Sequence, residues 1–489
     1  MFDNSRLTGD IKGKSIRGGT YVLAGQVVSF TLQIGSTAIL ARLLLPEQFG
    51  LVAMVAAFTG FAQVFKDLGL SQATVQQKDL TQQKVSNLFW INTCFGLLAT
   101  IVIVCLAPLI SWYYGDMRLR NISYALSISF LFGGLTVQHQ ALLNRQMRFG
   151  HLTLISITAT FLGTLAGIIM AWMGFDYWSL VWKGVLTSFF IASGTWLTCP
   201  WMPGLPKRGA GIGFMLRFGG DITGFNIMNY FSKNMDNILI GRFWGASALG
   251  LYDRAYKLMY LPMSRIRLPM SKVAFPALSA LQNDHKKYRE YFLKMIELIT
   301  FIYMPLVVYL GIYSDNVIRL VLGEKWLDAA TYFRILAFAS FIGPVYSMCD
   351  LVTQTCGLTR RYLLWGTVNS IYTVSSFAIG VHWGAVGVAI AYTIGGYIIF
   401  YPSIWYRLKD TPVSVSEYFQ SIYPSMFSSV LMGSALLLLS QIVEFKSDIS
   451  EVFFTSLFGA AFYLGLWWYR PVGRKKLMEY YSYQKLLFK

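Results

Sequence analysis

Long apolar blocks alternate with short polar connectors along almost the whole chain. A membrane-spanning helix needs about 20 mainly apolar residues. Stretches of that kind lie near 18–41, 46–68, 86–110, 121–144, 152–173, 177–198, 214–240, 247–273, 292–313, 329–353, 362–380, 383–405, 421–441 and 449–469. Breaking residues stand where connections are required: Pro46 with Glu47 after the first block, Gly115 with Asp116 after the third, and Pro203 with Gly204 after the sixth. No connector is long enough to be a folded domain. The pattern predicts an all-α polytopic membrane protein of about fourteen transmembrane helices.

Composition points the same way. Of 489 residues 55% are apolar and 13% charged, against about 25% charged in soluble domains. A larger core does not absorb that surplus, because surface grows with size as well, so the apolar faces meet lipid. The net charge of +18 would suggest nucleic acid in a soluble chain. Here it follows from where Lys and Arg fall, and no nucleic-acid partner is expected. With both termini in the cytoplasm, the inward connections and tails hold 23 Lys and Arg. The outward connections hold 7, namely Arg42, Arg118, Arg120, Arg242, Arg319, Lys325 and Lys446. That is the asymmetry of cytoplasmic loops, and it requires an even number of spans. The opening MFDNSRLTGDIKGKSIRGG runs into the first block with no cleavage-site pattern, so the first helix is expected to be retained. The five cysteines form no C-x-x-C pair and read as small buried hydrophobes rather than disulfides or ligands.

An internal echo organises the blocks. At an offset of 200, Arg17, Gly19, Arg42, Gly50 and Leu51 recur as Arg217, Gly219, Arg242, Gly250 and Leu251. A weaker echo at 210 pairs Gly133 with Gly343, Gln140 with Asp350, and Asn144 with Gln354. Six blocks per copy is even, so the copies share orientation about an axis along the membrane normal, as in transporters that bind substrate between two halves. The expected division is an N-lobe over 1–200, a C-lobe over 201–410, and two appended spans with a basic tail over 411–489.

Polar residues then mark faces. Asn226, Asn229, Lys233, Asp236 and Asn237 follow three- and four-residue steps on the seventh span, and Gln26, Ser29, Gln33, Ser36 and Thr37 do so on the first. A shared wet cavity explains both stripes; hydrogen bonding between helices is the alternative, as is an i,i+3 pair of Lys233 with Asp236. On the eighth span Arg254, Lys257, Arg265 and Lys272 lie near whole helical turns from one another. Arg265 and Lys272 have the alternative of snorkelling to the cytoplasmic surface. Lys66, Lys183, Arg267 and Arg334 add to an interior with more cations than the acids Asp67, Asp221, Asp253 and Asp350. Buried charge is costly unless a partner arrives, and Arg and Lys suit phosphate. The histidines are scattered, with no H-E-x-x-H or Walker loop, so no enzyme, metal site or cofactor is expected. The tail RPVGRKKLMEYYSYQKLLFK reads as a segment drawn to anionic membrane lipid.

The runs ARLLLPEQFGLVAM, LRFGGDITGFNIMNYFSKNMDNILIGRFWGASALGLYDRAY, FPALSALQND and VLGEKW resemble the Wzx-type flippases, in particular the colanic-acid exporter branch of the polysaccharide transporter family. The resemblance extends to about residue 410 and fades over the last two spans. It implies two six-helix lobes in a V around a cationic cavity, plus two extra helices. It also implies export of an undecaprenyl-pyrophosphate-linked oligosaccharide from the cytoplasmic to the periplasmic leaflet of a bacterial inner membrane, alongside polysaccharide polymerase and chain-length proteins. On that basis Arg254, Lys257, Arg265 and Lys233 are expected to hold pyrophosphate, with Asn226, Asn229, Gln26 and Gln33 on sugar hydroxyls. Coupling to a proton or sodium gradient would run through Asp221, Asp236 or Asp350. A drug or cation antiporter of the same superfamily would want an anionic cavity, and a peptidoglycan-precursor flippase would share the cationic one.

Overall fold

The computed structural model describes residues 11–67, 70–77, 80–207, 213–443, 445 and 447–487, and among these there are helices and turns but no strand. The helices are α1 (Ile11–Leu43), α2 (Pro46–Asp67), α3 (Leu70–Gln76), α4 (Gln82–Tyr114), α5 (Arg118–Arg145), α6 (Phe149–Trp172), α7 (Trp178–Thr198), α8 (Gly213–Ala280) and α9 (His285–Ile312). They continue with α10 (Ser314–Val321), α11 (Ala329–Phe341), α12 (Gly343–Thr355), α13 (Thr359–Gly380), α14 (Gly384–Leu408), α15 (Val415–Ile442), α16 (Asp448–Tyr469) and α17 (Pro471–Leu487). Ten segments of the described residues are long and apolar enough to cross a membrane.

Local chemistry sets the helix ends. Thr81 caps α4 by accepting from the Lys84 amide, and Gly115 closes it in the left-handed region at φ 74°. Ser414 and Glu417 form a capping box at the start of α15. The seventh and eighth apolar blocks emerge as one element, α8, broken at Gly245, whose φ of 81° and ψ of −178° no helix contains. The tenth block is one apolar span, Ala329–Thr355, within which the helix is interrupted at Ile342, two residues ahead of Pro344, to give α11 and α12. Pro at a first helical turn favours a fresh start there.

The echoes have structural counterparts. The interruption between α1 and α2 at 44–45 matches the break at Gly245, 200 residues later. At an offset of 210, α5 ends at Arg145 and α12 at Thr355, and α6 starts at Phe149 and α13 at Thr359. Met147 and Gly357 are both left-handed, at φ 57° and 72°. The amides of Gln146, Met147 and Arg148 donate to the carbonyls of Leu142, Asn144 and Leu143. Those of Cys356, Gly357 and Leu358 donate to Val352, Gln354 and Thr353, the same three bonds shifted by 210.

The chain divides into two compact units, Met1–Gly250 and Leu251–Lys489. In the first, connections gather at two ends. At one end Glu47 pairs with Arg118, Gln48 donates to Asp176, and Arg242 lies over the Tyr113 ring. At the other, Arg145 donates to the carbonyls of Thr74, Val75 and Gln77 at the close of α3, and Asn87 donates to the Lys207 carbonyl. The core at that end packs Phe89, Trp196 and Trp201 around His139. In the second unit Tyr288, Phe292, Ile296, Met348, Ile404 and Tyr418 form the main cluster. The tail helix α17 is fastened to α9 by Lys294 to Glu479 at 2.9 Å and by Lys476 to the buried Glu297. Part of the basic tail is thereby committed to protein rather than to lipid.

Candidate translocation site

The eighth-span cations begin at Asp253, a carboxylate only 3% exposed. Arg254 Nε and Nη2 donate to its Oδ2 at 3.1 and 2.5 Å, and Lys257 Nζ reaches the two oxygens at 3.0 and 2.8 Å. Helix geometry makes this possible, since Lys257 stands one turn from Asp253. The triad carries one net positive charge. The sequence marked Arg254 and Lys257 as anion ligands and Asp253 as one interior acid among several; the structure joins the three. Lys257 keeps 56% of its side chain exposed and Arg254 17%, so the pair presents an ammonium at the surface backed by a sheltered guanidinium. Arg265 is half-buried and Lys272 exposed further along the helix.

On the seventh span, Asp236 is buried and its Oδ1 accepts from the Asn237 amide at 2.8 Å, while Lys233 is exposed. Tyr230 donates to the carbonyls of Ala56 and Ala57 and binds this segment to α2. The side chains of Asp221, Asn226 and Asn229 lie outside the described residues. On α1, Gln26 is half-buried and Gln33 exposed. Ser36, in the same stripe, is buried and takes hydrogen bonds from Lys183 of α7 and, at 3.4 Å, from Thr164 of α6. That part of the stripe joins helices, as the hydrogen-bonding alternative required.

Asp350 has a partner the sequence reading did not give it. Arg407, 1% exposed near the end of α14, donates to Asp350 Oδ1 at 2.8 Å and also to the Ser403 hydroxyl and carbonyl. Its guanidinium lies 4.3 Å from the centroid of the Tyr346 ring, and Tyr346 donates to Asn369 at 2.7 Å. Counted by position alone, Arg407 belonged to a cytoplasmic connector; the only sequence signal of its role was an ionisable residue at a span's edge within reach of an unpaired acid.

A family model described as polysaccharide biosynthesis protein matches residues 39–331, a stretch that contains α8 and its cations. The chain belongs to that family. The chain is 29% identical to the teichuronic acid biosynthesis protein TuaB of Bacillus subtilis (strain 168), over 82% of this chain and 84% of that one. It is 24% identical to the lipopolysaccharide biosynthesis protein WzxC of Escherichia coli (strain K12), over 84% of each. With the succinoglycan biosynthesis transport protein ExoT of Rhizobium meliloti (strain 1021) the identity is 22%, over 72% of this chain and 71% of that one. Its fold is that of the lipid II flippase MurJ, with a TM-score of 0.74 at 15% identity over 95% of this chain and all of that one. An inward-facing MATE transporter of the MOP superfamily gives 0.61 at 14% identity, over 83% and 94%. Within this fold the chain combines multiple membrane helices with the Asp253–Arg254–Lys257 triad, and it is a multi-pass membrane protein.

Proposed function

We propose that the protein is a flippase that carries an undecaprenyl-pyrophosphate-linked oligosaccharide repeat unit from the cytoplasmic to the periplasmic leaflet of a bacterial inner membrane, for surface polysaccharide assembly. The observation that carries this reading is the net-positive triad on α8, placed in a family whose members are named for polysaccharide biosynthesis. A pyrophosphate offers several charge-dense oxygens, and guanidinium and ammonium donors hold such groups with hydrogen bonds about twice as strong as neutral ones. Arg265 and Lys233 extend the cationic surface, and Gln26, Gln33, Asn226 and Asn229 offer amides to sugar hydroxyls. Asp236 and Asp221 serve ion coupling, whereas Asp350 acts through Arg407. The isoprenoid tail stays in lipid throughout.

Fourteen spans fit this reading: the ten apolar segments with Thr359–Leu408 counted as α13 and α14, together with α2 and the two rods of α8. The spans fall into an N-lobe over 1–200, a C-lobe over 201–410 and an appendix over 411–489, with both termini cytoplasmic. The repeated helix ends at offsets of 200 and 210 support two copies related by an axis along the membrane normal. Rocking of the lobes alternates access, and neighbouring polymerase and chain-length proteins receive the exported unit.

The test is removal of the gene product. The expected result is accumulation of a complete repeat unit on its lipid carrier at the cytoplasmic face, relieved by the wild-type chain and not by Arg254→Glu. Accumulation of a peptidoglycan precursor instead would favour the MurJ-like activity, and no accumulation of either would refute the proposal.

A further inference from the structure

Gly50 and Gly250, equivalent positions of the 200-residue echo, face each other within the first unit. A methyl group on Gly50 would overlap the backbone carbonyl of Ala246, and one on Gly250 would overlap that of Pro46. The methyl on Gly250 would also stand 3.1 Å from the Gly50 amide nitrogen. Pro46 and Ala246 are themselves 200 residues apart, so this is one contact made twice, the signature of a local two-fold axis. The backbones come this close because both segments begin a helix after a break: α2 starts at Pro46, and the second rod of α8 starts after Gly245. Leu51 and Leu249 flank the crossing and are fully buried. Around it stand the Glu47–Arg118 pair, the Gln48–Asp176 bond and Arg242 on Tyr113, all at the end of the unit assigned outward by charge.

We propose that the Gly50–Gly250 crossing is the outward gate of the translocation path, shut here by backbone against backbone. The proposal rests on the flippase reading and on the orientation argued with it. Three properties suit a contact that must break in every cycle. The main chains themselves meet at it, so this contact parts without a change of rotamer. Dispersion contacts between closely approaching main chains are each individually small. And the two halves share an axis, so one contact does not open while the other stays shut. A Cβ at either glycine holds the crossing apart, because the atom it strikes is a main-chain carbonyl with nowhere to turn.

The test uses the full-length protein with its five native cysteines replaced and a single cysteine at Met54, one turn past Gly50 and 3% exposed. A membrane-impermeant maleimide is applied to spheroplasts and, separately, to inside-out vesicles. Gly50→Ala and Gly250→Ala should each raise labelling in spheroplasts by about tenfold or more. The double variant should gain no more than either single, since one wedge already opens both contacts. Unchanged labelling in both variants overturns the gate, and labelling that rises only in inside-out vesicles overturns its outward placement. Labelling does not depend on cargo, so a failure of the flippase reading would register in the carrier-accumulation assay and leave this result standing. Should the alanine variants fail to fold, cysteines at Pro46 and Ala246 joined by a short bis-maleimide test the same claim in an intact crossing. Export should stop on cross-linking; export at the uncross-linked rate would overturn the proposal.

Discussion

Arg407 and Asp350 are held 2.8 Å apart, 57 residues apart in sequence, with the guanidinium sealed between Ser403 and the Tyr346 ring. A cation with 1% of its side chain exposed is tolerated only because every face of it is answered. Asp350 itself is 35% exposed, so the pair has one sheltered and one open member.

Removing the open member should therefore be costly. Asp350→Asn strands Arg407, and the expected loss is roughly 3 kcal/mol, the lower end for a broken buried pair. Thermal unfolding in detergent measures it. Replacing both residues with Asn and Met should restore much of the loss; a double variant as unstable as the sum of the singles would show the pair to be uncoupled.

Asp253 shields the cations it binds. Asp253→Asn raises the triad from one net positive charge to two, and one charge-assisted hydrogen bond is worth about 1.5–3 kcal/mol. The purified variant should bind inorganic pyrophosphate about tenfold or more tightly, and export should slow because the anion is released late. Weaker pyrophosphate binding would mean that Asp253 orients the cations rather than competing for them.

A cap far from the cations supplies the contrast. Ser414→Ala removes the capping box of α15, and its expected cost is about 1 kcal/mol. Export should be unaffected once the protein is folded. A change in export without a change in stability would give this end of the second unit a part in transport that the account does not assign.

Acid stability has a legible contributor in the connector before α5. Burial alone would raise the Asp116 carboxyl, but hydrogen bonds from the Arg118 side chain and amide outweigh it and hold the group below its ordinary value. A depressed carboxylate stabilises the fold above its unfolded pKa and loses that contribution as pH falls through the folded value. Between about pH 5 and pH 3, the wild type should therefore lose more thermal stability than Asp116→Asn. Equal losses would show the Arg118 contact to be too exposed to matter.

Much of this was legible because hydrophobicity and charge are read one residue at a time. The apolar blocks, the echo pairing Gly50 with Gly250, and the one-faced cations of α8 all follow from composition and spacing. What escaped was partnership. Nothing in the spacing of Arg407 revealed that it folds back onto Asp350, since residues 57 apart meet only through the packing of α12 against α14. By spacing Ser36 is one more polar position on α1, and only the packing of α7 brings Lys183 onto it. The tenth block was legible as one span, while the interruption at Ile342 just ahead of Pro344 lies inside its apolar run. Gly50 and Gly250 were visible as equivalents, while their meeting required the kink at Gly245 to bring one backbone against the other.

The central claim is that the chain moves a pyrophosphate-linked glycolipid across a bilayer. Reconstitution into liposomes with such a lipid, its headgroup followed by an impermeant glycan-modifying reagent, addresses it directly. The account predicts that the protein brings headgroups to the opposite leaflet faster than protein-free liposomes do, and that Arg254→Glu abolishes the gain while Arg254→Lys keeps part of it. Headgroup movement no faster than in empty liposomes, or undiminished in Arg254→Glu, would contradict it.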